Sequence, residues 1–142
     1  MKNKRTLIYN ATLVNEGKKE TGSLIIEGNT IKEVLLHKKQ ASTPQKYDEK
    51  IDATGLYLIP GIIDTHVHFR DPGMTQKADF STESAAAVAG GVTSICDMPN
   101  TIPQTTSLEA LDEKLTLMAD KSLVNYSCYL VLPIVTLNFL ES

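Results

Sequence analysis

Apolar and polar positions alternate from the start of the chain. Residues 6–14, T-L-I-Y-N-A-T-L-V, predict a strand interrupted near Asn10, and N-E-G-K-K-E-T-G over 15–22 predicts a turn. Residues 23–27, S-L-I-I-E, and 30–36, T-I-K-E-V-L-L, predict two more strands around a Gly28-Asn29 turn. Short strands joined by tight turns point to a small antiparallel sheet. A polar stretch over 37–50, containing Pro44 and several lysines, predicts an exposed loop or linker. Ile51, Asp52 and Ala53 begin another short strand that Gly55 ends.

The pattern changes at Leu56. L-Y-L-I-P-G-I-I-D-T-H-V-H-F is nearly all apolar, which suits a parallel strand buried on both faces, and Pro60 places its start after Gly61. Asp79 or Ser81 can cap a helix reaching about Ala89, where Gly90-Gly91 stops it. G-V-T-S-I-C-D-M over 91–98 is the next buried strand. T-S-L-E over 106–109 has capping-box spacing, and Leu108, Leu111, Leu115 and Met118 recur as one helical stripe that packs into a core. Residues 122–131 predict a third strand. The order strand, helix, strand, helix, strand makes a parallel α/β sheet.

The chain has 142 residues, with 42% hydrophobic and 22% charged, which excludes a disordered composition and supplies a core. Its formal net charge of -3 is uneven. Residues 1–50 hold ten Lys/Arg against six Asp/Glu, and residues 51–142 hold four against eleven. The basic half lacks clustered aromatics, so a nucleic-acid surface is not expected. The acidic half suits a cation. Cys96 and Cys128 lie apart in apolar surroundings and read as core thiols. The basic start has no apolar run or cleavage site of a signal peptide, and no run of eighteen apolar residues spans a membrane. A cytoplasmic location is the default expectation.

Residues 64–71 read D-T-H-V-H-F-R-D. On a strand, His66 and His68 point the same way with Cα atoms roughly 6.5 to 7 Å apart. Two imidazoles there can converge on a metal at about 2.0 to 2.1 Å, and histidine suits zinc and its neighbours. Asp64 shares that face, as a ligand or as a brace for an imidazole. Arg70, if the strand exit stays extended, reaches the same mouth and can grip a carboxylate in bidentate geometry. D-M-P-N-T over 97–101 ends the next strand at the same rim. Asn100 there can read an amide, an imide or a carboxylate, or simply form a Pro-Asn turn. Asp71 either braces the loop after the site or is surface. Glu83 belongs to a helix surface, and His37 beside two lysines is solvated.

G-I-I-D-T-H-V-H-F-R-D-P-G followed by D-M-P-N-T closely resembles the bacterial-type dihydroorotases of the amidohydrolase superfamily, over residues 6 to about 130. The resemblance implies a metal-bearing (β/α)8 barrel with a small composite β-sandwich. Residues 1–55 would be the N-terminal part of that sandwich. Residues 56–142 would be the first, truncated part of the TIM barrel, about three β/α units where a full barrel takes roughly 250 residues. It implies His66 and His68 as metal ligands for one or two Zn2+, Arg70 and Asn100 as holders of the substrate carboxylate, and Asp64 as a brace of the metal site. The implied reaction is metal-hydroxide hydrolysis of dihydroorotate to N-carbamoyl-L-aspartate and its reverse, in pyrimidine biosynthesis. The implied partner is a carboxylate-bearing small molecule, and a homo-oligomeric parent protein stays open.

The family's later ligands and its general base would lie beyond residue 142, so no catalytic base is assigned and the isolated chain is expected to be inactive. The ending V-L-P-I-V-T-L-N-F-L-E-S departs from the Gly/Asn-rich loop of the family. Two alternatives stay open. One is a fragment of a hydantoinase- or allantoinase-type enzyme. The other is a non-catalytic dihydroorotase-like fragment or subunit.

Overall fold

Glu16 and Gly17 both take left-handed backbone, with φ of 49° and 72°, the geometry of a two-residue hairpin turn. They join β1 (Arg5–Asn15) to β2 (Lys18–Glu27) in an antiparallel pair running from Arg5↔Glu27 to Asn15↔Lys18. The turn expected over 15–22 is therefore confined to two residues. Lys18 to Gly22 belong to the ladder, because a turn this tight leaves no slack before pairing resumes. Gly28, at φ 60°, turns the chain into β3 (Thr30–Leu36). The interruption near Asn10 is a register shift between Ile8 and Ala11, with Asn10 at φ 60°.

The computed structural model describes residues 3–36 and 46–131. His37, Pro44 and most of the polar stretch they mark lie outside those residues, as does the apolar ending from residue 132. The chain divides into two compact units, Met1–Pro60 and Gly61–Ser142.

The first unit adds β4 (Glu49–Asp52) and β5 (Tyr57–Leu58) to make a five-stranded sheet ordered β3-β2-β1-β4, with β5 also paired to β1. Both added strands run parallel to β1. The sheet is mixed, not purely antiparallel as expected. β4 and β5 both pair with β1, and β4 does so on the side away from β2. Residues 56–60, grouped by sequence with the second part, include the strand that pairs with β1. Ala11 and Ile25 are fully buried at the centre of this sheet.

The second unit holds three parallel strands in the order β6 (Ile62–Val67), β7 (Val92–Asp97), β8 (Asn125–Cys128). Helices α1 (Phe80–Ala89) and α2 (Leu108–Lys121) form the connections. This is the expected β-α-β-α-β order. β6 begins just after Gly61, as Pro60 required. Asp79 caps α1 by accepting from Thr82 N at 2.8 Å. Ser107, not Thr106, caps α2, accepting from Ala110 N at 3.2 Å with extended backbone. That one-residue shift moves Glu109 out of the capping-box position.

One hydrophobic cluster fills the space between sheet and helices: Phe69, Phe80, Ile95, Met118 and Val124, with Val67, Ala87 and Leu115 packed on it. Both helices feed that cluster, so both cover one face of the sheet. The expectation that β6 is buried on both faces does not hold. Ile62 and Ile63 are 47% and 68% exposed, because β6 is an outer strand of three among the described residues. The stripe on α2 also differs. Leu108 is 66% exposed while Lys114 is fully buried.

Candidate functional site

β6 does not run evenly against β7. Asp64 pairs with Ile95 and Val67 with Asp97, so three steps on one strand meet two on the other. This is a bulge, which bends a strand and re-aims its side chains. The backbone N–H of His66, inside the bulge, donates to Asp64 Oδ1 at 3.0 Å. The carbonyl of Thr65, one residue earlier, accepts from the Tyr129 phenol at 3.1 Å. Two side chains thus satisfy backbone groups that the distortion takes out of the ladder. Among the described residues no hydrogen bond joins Asp64 to an imidazole. Asp64 acts on the backbone that carries His66.

His66 and His68 alternate with Val67 and Phe69, and those two pack into the helix-covered cluster. The histidines therefore face the side that no described helix covers. Their ring centroids lie 5.2 Å apart at an interplanar angle of 64°. His68 Nδ1 lies 2.9 Å from Asn100 Oδ1. An amide oxygen carries no proton, so the imidazole N–H is the donor. The structure thus brings together His66, His68 and Asn100, while Asp64 bonds the backbone of His66.

Arg70 takes left-handed backbone. Its φ of 66° breaks the extended geometry on which its reach towards the mouth depended. Among the described residues no hydrogen bond or ion pair joins its side chain to His66, His68 or Asn100. A non-glycine residue held in this region costs on the order of 1 to 3 kcal/mol and gathers at functional loops. The loop behind it is anchored. Asp71, 3% exposed, accepts from Lys121 Nζ at 2.7 Å, and that bond raises the lysine's pKa above its ordinary value. Asp71 is a loop brace and not surface. Lys121 sits in the last turn of α2, where a cation also complements the helix dipole.

A buried ion pair sits under the rim. Asp97 and Lys114 are both fully buried, with Lys114 Nζ 2.6 Å from Asp97 Oδ2. Asp97 Oδ1 accepts from Phe69 N at 2.8 Å, and Lys114 Nζ donates to Met98 O at 2.8 Å. Sequence reasoning missed this pair. Its signal was a lysine inside the apolar stripe, three residues after Leu111 and four before Met118. Tyr129 was also missed, because nothing local announces a phenol that reaches across β7 to a bulge on β6. Cys96 and Cys128 are free thiols, and burial pushes the Cys128 thiol up.

The donor set fits part of a metal centre. Two imidazoles share one face, and His68 keeps Nε2 for a cation while Nδ1 donates outward, the usual arrangement of a ligating histidine. Among the described residues no group of three His, Cys, Asp or Glu could hold a metal ion. Beside Asn100 opens a cleft of ≈ 190 Å³ lined by Pro99, Asn100, Gln104, Thr106 and Val131. That is smaller than the roughly 300 to 1,000 Å³ of ordinary ligand pockets, so it can seat only part of a ligand. Among the described residues no helix is long and apolar enough to cross a membrane.

A parallel sheet joined by helices, with a histidine pair and an asparagine at the carboxyl ends of its first two strands, defines a class of fold: the β/α type. The Amidohydrolase family model matches residues 57–130, and the chain belongs to that family. It is related to dihydroorotases and hydantoinases. The dihydroorotase of Methanosphaera stadtmanae is 44% identical over 108 residues, covering 75% of this chain and 24% of that protein. The dihydroorotase of Lactobacillus johnsonii is 36% identical over 124 residues, covering 87% and 28%. Among solved structures, L-hydantoinase (dihydropyrimidinase) from Arthrobacter aurescens superposes with a TM-score of 0.81 at 26% identity, over 92% of this chain and 28% of that one. Dihydropyrimidinase from Brevibacillus agri gives 0.72 at 31% identity, over 89% and 27%. The expected α/β partial-barrel class agrees with these matches. The chain spans about a quarter of the length of the curated relatives it matches.

Proposed function

We propose that this chain carries the first metal-binding strand and the carboxylate-reading residues of a dihydroorotase-like cyclic amidohydrolase, which interconverts dihydroorotate and N-carbamoyl-L-aspartate in pyrimidine biosynthesis. The observation that carries the reading is the convergence of His66 and His68 on one open face, with His68 held by Asn100. The similarity to dihydroorotases along most of the chain supports the substrate.

His66 and His68 would hold Zn2+, as one or two ions shared with further ligands. Bound there, the ion would polarise the cyclic-amide carbonyl and acidify a water. Asp64 and Tyr129 fix the bulge that directs His66. Arg70 offers a guanidinium for the substrate carboxylate, and Asn100 keeps its two amide N–H donors for the same group. No described residue is assigned as the general base.

The test is Co2+ binding to the 142-residue chain, followed by equilibrium dialysis and visible absorption. Wild type is expected to bind Co2+, and His66→Ala or His68→Ala to weaken it at least about tenfold, since each removes a first-sphere donor. In the Co2+-loaded chain, Arg70→Ala is expected to weaken dihydroorotate binding about ten- to a hundredfold, the worth of a charge-assisted hydrogen bond at about 1.5 to 3 kcal/mol. A double histidine variant that binds Co2+ as wild type does would overturn the proposal.

The superposition on hydantoinases favours a second reading, a carboxylate-free cyclic imide as substrate. Hydantoin binding that exceeds dihydroorotate binding and ignores Arg70→Ala would select it.

A further inference from the structure

Asn100 was expected to read an amide, an imide or a carboxylate or to form a turn, and the family resemblance implied the substrate carboxylate. Its contact in the structure is with a ligand histidine, and the atoms in that contact are specific. The oxygen, not the nitrogen, of the carboxamide lies 2.9 Å from His68 Nδ1. Because that oxygen can only accept, the contact requires a proton on Nδ1. A neutral imidazole with its proton there has its lone pair on Nε2. Nε2 is the nitrogen turned away from Asn100 and left for the open face.

The backbones that bring these two side chains together are set independently of either. Phe69 N, one residue after His68, donates to buried Asp97 at 2.8 Å. Met98 O, two residues before Asn100, accepts from buried Lys114 at 2.8 Å. Met98 N donates to Val67 O at 2.9 Å, tying the two strand ends directly. The fully buried Asp97–Lys114 pair therefore locks the end of β6 to the end of β7. Asn100 itself is exposed, so it is not placed by packing of its own side chain.

We infer that Asn100 is a positioning residue: it fixes the tautomer and ring direction of His68, so that His68 presents Nε2 to a cation before any cation arrives. The inference deepens the metal-site reading above and rests on it for the identity of the ligand that Nε2 would meet. The tautomer itself can be measured without metal.

The experiment uses the full 142-residue chain, metal-free, in alkaline buffer. Long-range proton–nitrogen correlation spectra report which ring nitrogen of His68 carries hydrogen. Wild type is expected in the Nδ1–H form. Asn100→Ala is expected to populate both forms and to weaken Co2+ binding about tenfold, the lower end of what loss of such an outer partner costs. Asn100→Asp, which keeps an acceptor oxygen at the same reach, is expected to restore the Nδ1–H form and the affinity. Because Asn100 is exposed, neither variant removes packing, and the dispersion of the spectra verifies folding in the same measurement.

A wild-type His68 protonated on Nε2 would overturn the inference. So would an Asn100→Ala variant with an unchanged tautomer, or one with a changed tautomer and unchanged Co2+ affinity. If Co2+ binding proves independent of both histidines, the proposed function fails. The inference then fails as a statement about metal, while the tautomer result still separates the two failures.

Discussion

At position 114 a lysine occupies a slot that the helical stripe of α2 reserves for an apolar side chain. Burying its ammonium costs several kcal/mol unless a partner repays it, and Asp97 does so at 2.6 Å with Met98 O as a second acceptor. Removing one member leaves the other charged and dry. Lys114→Met is therefore expected to destabilise the chain by about 3 to 5 kcal/mol in urea unfolding, although methionine fills a similar volume. A loss below about 1 kcal/mol would show that the carboxylate is neutralised or hydrated instead. The histidine pair, by contrast, was legible from alternation alone, because two residues apart on a strand means one face. Asn100 was legible as a rim residue but not as the partner of His68. That pairing depends on how far β7 extends past β6, which spacing within either strand does not encode. The left-handed backbone of Arg70, at φ 66°, was not legible from its residue type.

Elements were readable where local chemistry decides them and misread where tertiary pairing does. Asp79 is a local case: an aspartate before a small-residue helical run, accepting from Thr82 N. That backbone hydrogen bond holds its carboxyl below the ordinary value of 3.8. The cap's contribution is thus fully present above that value and is lost as pH falls through the lower folded-state pKa. Asp79→Asn keeps a capping oxygen but has no proton to take up. The variant is expected to lose less stability than wild type between pH 5 and pH 2, read as the shift in thermal midpoint across that range. Parallel slopes for both proteins would show that Asp79 makes no pH-dependent contribution. The cap of α2 was misread by one residue because Thr106 and Ser107 are both good caps and sequence alone does not choose. The bulge in β6 was invisible for another reason. It takes shape only where the strand meets β7, and the residues that satisfy it, Asp64 and Tyr129, come from opposite ends of the unit.

For the molecule as a whole, the strand–helix–strand order was legible because apolar strand runs alternate with helical runs that open on caps at Asp79 and Ser107. The burial of β6 was not, since an apolar run records the environment for which a strand is suited and not the number of neighbours it has. Among the described residues the three-stranded sheet leaves one face without helices and β6 without an outer neighbour. Ile62 and Ile63 are 47% and 68% exposed there, and Tyr126 on β8 is 37% exposed. An outer strand with exposed β-branched residues is a template for pairing with another chain, and a lysine is one of the devices by which natural edges prevent it. The chain is therefore expected to self-associate, its weight-average sedimentation coefficient rising with concentration. Ile63→Lys is expected to suppress that rise without lowering the thermal midpoint, because the residue replaced is two-thirds exposed and contributes little packing. A concentration-independent sedimentation coefficient for wild type would mean that this edge is already protected in solution. An Ile63→Lys variant that still associates would move the contact to the uncovered face that carries His66 and His68. In that case Co2+ binding and association would compete for one surface, and adding Co2+ would itself dissociate the oligomer.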